Sequence, residues 1–213
     1  MKFSQRGNVL VYVLMAVALL AALTYSISEN SGGQQQNQMT AARAKLQASD
    51  MIKHAASAEM SAYQMTQWGS DFNDLRFDLP STGPYTSNVS EQIYHPSGGG
   101  LSIFQTHNDH FDSNGTTGWV FQGNVNIAWS PSPATDLIYT FINVSDVLCS
   151  QLNNQLIGDP TIPTVTVDFT NTFTQSATDD DFIPSECAAC ESVKSLCISD
   201  GTTNAFYTIV GSR

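Results

Sequence analysis

Basic residues are scarce in this chain: 8 Lys and Arg stand against 19 Asp and Glu in 213 residues, for a formal net charge of −11. Nucleic-acid binding neutralises phosphates with clustered Lys and Arg, so no nucleic-acid partner is expected. Charge of either sign is thin, at 13% of residues, but 3 Trp, 7 Tyr and 11 Phe supply the apolar mass that a disordered polyanion lacks. Catalytic signatures are missing as well. There is no G-x-S-x-G elbow and no H-E-x-x-H pair, and Gly98-Gly99-Gly100 lacks the Lys and Ser/Thr of a phosphate-binding loop. The expectation is a protein that is not an enzyme and holds no cofactor.

Two features are unevenly placed. Lys2 and Arg6 are the only charges before Glu29, so residues 1–28 carry +2 and the remainder −13. Between them, Val9–Leu23 reads VLVYVLMAVALLAAL, uncharged and without a strong helix breaker. Extended by Thr24–Ile27 it reaches about 19 residues, which at ~1.5 Å per residue nearly crosses a hydrocarbon core of about 30 Å. The basic start should stay in the cytoplasm, with the acidic body outside it. Two outcomes are open: a retained helix, or a signal peptide cut near Ser26. The four cysteines, Cys149, Cys187, Cys190 and Cys197, all lie in the last third, and an even count in an exported protein favours disulfides.

Glu29–Gln38 (ENSGGQQQNQ) reads as a linker or a locally melted helix, because each glycine weakens a helix by about 1 kcal/mol relative to Ala. Helix should resume near 34–39 and run to about Gln67, with Trp68-Gly69 ending it. Met39, Ala42, Leu46, Ile52, Ala56, Met60 and Tyr63 form the stripe expected to pack on a sheet. Ser70–Gly100 reads as a long, surface-exposed loop, with Tyr85, Tyr94 and His95 available for recognition. Strands are expected at 101–106, 118–121, 124–129 and 137–144, with Gly123-Asn124 as a hairpin turn. A short helix should cover Ser145–Leu156, extended chain should follow over 160–173, and AFYTIVGSR should form a last strand.

Three clusters could carry chemistry. His107, His110 and Asp112 in HNDHFDSNG are weak metal-ligand candidates, and a polar turn explains them better. Asp179-Asp180-Asp181 reads as a solvated acidic loop. Cys187-Ala188-Ala189-Cys190 is a CxxC, but the βαβ unit of a redox site and the second ligand pair of a zinc site are both missing, which leaves a structural disulfide.

The start KFSQRGNVLVYVLMAVALLAAL resembles type IV pilin-like proteins, whose basic leader ends in Gly ahead of an apolar helix. DVLCSQLNNQLIG and the terminal CISDGTTNAFYTIVGSR resemble the Cys-bounded C-terminal half of their heads. The resemblance implies an α+β fold, a long N-terminal membrane and filament helix packed onto an antiparallel β-sheet head. It implies a leader over 1–7, a transmembrane and assembly helix over 8–28, its continuation over 29–68 and a β-rich head over 69–213. A prepilin peptidase would cut between Gly7 and Asn8, and Asn8 would be N-methylated. Tyr12 stands where most of the family has Glu, which points to a minor, tip-forming subunit. The implied function is a minor pilin or pseudopilin of a pilus or secretion filament, partnered by other pilin-like subunits through the helix. Before assembly it would be a single-pass inner-membrane protein with a periplasmic head. The alternative is an exported periplasmic or cell-surface binding module, an adhesin with a cleavable signal peptide. The family's way of fastening its head favours Cys149–Cys197 with Cys187–Cys190. Cys149 paired to Cys187 or Cys190, with the other bonded to Cys197, remains open.

Overall fold

The computed structural model describes residues 8–111, 118–167, 169–174 and 180–212, with side chains inside the first helix described for 13–20 and 41–67. The elements are α1 (Asn8–Gln67), β1 (Trp119–Ile127), β2 (Asp136–Ile142), α2 (Asp146–Ile157), α3 (Phe169–Phe173), β3 (Asp180–Phe182), β4 (Ser195–Ser199) and β5 (Asn204–Ser212). The chain divides inside α1 into two compact units, residues 1–43 and 44–213. In the first unit, Val13, Leu14, Met15, Val17, Leu19 and Leu20 are exposed helical residues.

The second unit is built on a five-stranded sheet of order β3-β1-β2-β5-β4. β1–β2, β2–β5 and β5–β4 pair antiparallel, while β3 joins β1 in parallel. β2 reads DLIYTFI and is buried at every position, as the central strand of a sheet covered on both faces should be. The period of two assigns the faces. Leu137, Tyr139, Phe141, Phe206 and Val210 meet α1, while Ile138, Ile142, Ala205 and Tyr207 meet Val165, Phe173, Phe182 and the Cys187/Cys190 pair.

The helix packs on this sheet through Ala48, Met51, Ala55, Ala58, Ala62 and Met65, all buried. Their spacing alternates between four and three, which keeps one seam against the sheet. Of the expected stripe, Ile52 packs against the core, the Met39 side chain lies outside those described, and the rest faces away from the sheet. Leu46 is 67% exposed, Met60 58% and Tyr63 58%. Small side chains let the helix backbone come close to the large rings of β1 and β2, so the alanines take the inner face.

α2 covers the end of the sheet beside β4. Its Asn153 donates to the Cys197 and Thr161 carbonyls and accepts from the Cys197 N–H, each at 2.8 Å. An amide side chain thus occupies the free edge of β4, where an unpaired strand would invite association. The Cys149–Cys197 disulfide fastens the same two elements, and Cys187–Cys190 closes a local turn.

Several expectations are corrected. Among the described residues no helix is long and apolar enough to cross a membrane. The uninterrupted run Val9–Leu23 spans only about 22 Å at ~1.5 Å per residue, and the residues that would complete it include Thr24 and Ser26. The expected single-pass inner-membrane placement falls with that span. The pilin-like layout falls too. The part of α1 that packs on the sheet belongs to the short stretch 41–67, and the sheet is mixed rather than antiparallel. Gly123-Asn124 lies inside one continuous β1, where a register shift between Gln122 and Val125 marks a bulge in place of the hairpin turn. Residues 101–106 are not a strand, and Phe169–Phe173 is helical rather than extended. Ile93 and Tyr94, expected on an exposed loop, are buried in the core.

Candidate binding cleft beside strand β1

The segment from Ser70 to Gly100 has one 3-10 turn, Gly83–Thr86, and a single β-bridge, Arg76 to Gln92. Gln92 organises it. This fully buried amide donates to the Asp78 carboxylate at 2.7 Å and to the Pro84 carbonyl at 3.1 Å. It accepts from the Asp78 N–H at 3.2 Å. Gly98 and Gly99 let the returning chain pass against the Gln92 and Ile93 carbonyls, since a Cβ at these positions would lie 2.2 and 2.6 Å from those oxygens. The loop is therefore a fixed structure laid against β1.

Between loop and strand lies a cleft of about 290 Å³ lined by Phe77, Asp78, Leu79, Thr82, Tyr94, Trp119, Val120 and Phe121. Its wall is a run of stacked rings. Phe77 lies 3.8 Å from Phe121, Phe121 4.0 Å from Tyr139, and Tyr139 4.2 Å from Trp119, all nearly parallel. Alternation on β1 puts Trp119 and Phe121 on one face, and Tyr139 is the β2 residue directly opposite Phe121. The Trp119 indole N–H is buried and meets no acceptor among the described residues.

A buried polar chain lies behind the wall. The Tyr94 and Tyr139 hydroxyls are 3.1 Å apart, and Tyr139 meets His54 Nε2 of α1 at 2.9 Å. Burial pushes His54 down from 6.5 to about 4, so it is neutral at pH 7. Burial raises both tyrosines, so their hydroxyls stay protonated. The trio thus holds Tyr94 in place as a hydrogen-bonded support and presents no charged group.

The residues singled out from sequence fall elsewhere. Gly7 lies outside the described residues; Asn8 is the first residue of α1, and its side chain is not described. His107 caps the 3-10 turn Asn108–His110, and His110 Nδ1 accepts from the His107 N–H at 2.7 Å. The His110 ring is buried against Phe104 and Phe141, and burial lowers its pKa. Asp112 lies outside the described residues. Among those described, no group of three or more His, Cys, Asp or Glu is arranged to hold a metal.

Asp180 and Asp181 are strand residues of β3 rather than a loop, and Asp179 lies outside the described residues. They line an open polar hollow, but Asp180 accepts from Thr172 and Asp181 from the Asn126 amide. A third hollow, beside Trp129, is bridged by the Glu59–Lys194 ion pair. Cys187 and Cys190 are buried in the core opposite α1.

The cleft itself went unread in the sequence. Its aromatic residues come from segments some forty positions apart, and only the density of Phe77, Tyr85 and Tyr94 in a Gly- and Pro-rich stretch hints at it. No protein-family model, curated protein or solved structure matches the chain.

Proposed function

We propose that this chain is an extracytoplasmic binding module whose working surface is the aromatic cleft between the 70–100 segment and β1. The observation that carries the reading is the pair of disulfides, Cys149–Cys197 and Cys187–Cys190, with no free cysteine among the described residues. Disulfides persist in secreted and periplasmic proteins and are reduced in the cytosol of most cells. The cleft adds the second half of the reading. It is concave, aromatic and pre-formed, with a few polar groups at its walls, as small-ligand sites are. A filament subunit needs a membrane-spanning helix in addition, so the module reading asks less of the chain.

Thiol trapping in fractionated cells tests the compartment. The expected result is a protein outside the cytoplasm whose four cysteines resist alkylation until reduced. A cytoplasmic protein with four alkylated thiols would overturn the reading.

A further inference from the structure

We infer that the cleft beside β1 takes a neutral saccharide. The inference rests on the reading of this cleft as the binding site and adds the chemistry of its ligand.

Charge narrows the field first. Among the described residues no Lys, Arg or His lines the cleft, Asp78 does, and the molecule carries −11. A phosphate or carboxylate would find no counter-charge here and a repulsive field around it. Among the described residues a metal ion would find one carboxylate, already engaged by the Gln92 amide.

The walls then separate apolar from hydroxylated ligands. Half-buried Phe77 and Trp119 end a stack of four rings whose faces carry partial negative charge. The C–H face of a pyranose is weakly positive and fits such rings. Polar groups share the same walls: the Asp78 carboxylate and the Thr82 hydroxyl. A wholly apolar ligand would desolvate these groups and return no hydrogen bonds. A sugar hydroxyl both donates and accepts while the sugar's C–H face covers the rings, so one ligand class answers the carboxylate, the hydroxyl and the aromatic wall together.

Rigidity and size agree with this. The Gln92 clamp and the close passage at Gly98 and Gly99 hold the loop wall without a ligand, so little ordering cost falls on binding. The volume of about 290 Å³ matches a short glycan end.

The test uses the full chain on an array of immobilised neutral glycans, followed by NMR titration of the best-bound glycan, with indole titrated separately as an apolar probe. The expected result is saturable shifts of the Trp119 indole N–H and of the amides of 77–82 and 119–121. Affinity should fall about tenfold, or ~1.4 kcal/mol, in Thr82→Ala and more in Phe77→Ala. Thr82 is an exposed rim residue, so its variant is informative even if Phe77→Ala does not fold. Indole shifting these signals while no glycan does would overturn the saccharide and leave the cleft as a site for another ligand. If neither shifts them, both readings fall. Glycan shifts confined to other residues would also overturn the proposal.

Discussion

His54 illustrates how one buried side chain sets a pH response. Its imidazole faces Phe104, Trp119 and Tyr139, and burial lowers its pKa from 6.5 to about 4. Between those values the unfolded chain binds the proton and the folded one does not. This group's stabilising effect is therefore complete above pH 6.5 and is lost as pH falls toward 4. Urea midpoints at pH 7 and pH 5 should differ in that direction. The difference should shrink in His54→Gln, which can still hydrogen-bond to Tyr139, and not vanish, because His110 is shifted the same way. Gly98 gives a second test. An added Cβ would sit 2.2 Å from the Gln92 carbonyl and 2.8 Å from that of Val89, and backbone cannot swing aside. Gly98→Ala should cost about 1–3 kcal/mol in urea unfolding, whereas Gly83→Ala, with nothing within 4 Å of its Cβ, should stay within about 0.5 kcal/mol of wild type.

Among the elements, the two disulfides do different work because they close different loops. Cys149 and Cys197 are 48 residues apart, so the bond removes about 4 kcal/mol of unfolded-chain entropy on the loop-closure account. Cys187 and Cys190 are 3 apart, for which the same relation gives about 2 kcal/mol. Replacing Cys149 and Cys197 together by Ala should therefore lower the unfolding free energy more than replacing Cys187 and Cys190; equal losses in chemical denaturation would refute the ordering. The elements also show what was legible beforehand. β2 and β5 were readable because their aromatic and β-branched residues mark strands, and α2 because Leu148 and Leu152 share a helical face. The inner face of α1 was not. Its alanines are weakly apolar, and a louder stripe of Leu46, Met60 and Tyr63 runs along the outer side. β3 is three residues long with two aspartates, and no local pattern distinguishes such an edge from a loop. The cleft depended on Phe77 meeting Phe121, a contact that only the folded sheet creates.

At the scale of the whole molecule, the division of the chain at Arg43 and Ala44 makes a prediction about independence. The buried residues, from Ala44 to Val210, all lie in the second unit among those described. So do both disulfides, the sheet and the cleft. Among the described residues, the hydrophobic burial that stabilises a fold thus lies in 44–213, and the exposed apolar residues between Val13 and Leu20 contribute none of it. A chain of residues 41–213, produced in an oxidising compartment, should unfold in one cooperative transition. Its thermal midpoint should match that of the same transition in the full chain to within about 4 °C, the shift that ~1 kcal/mol produces in a domain of this size. It should also remain soluble at higher concentration, because the exposed apolar stretch is gone while the acidic surface is kept. A broad, non-cooperative melt of the shorter chain would show that residues before 41 are needed to hold the sheet, and the division into two units would then be wrong.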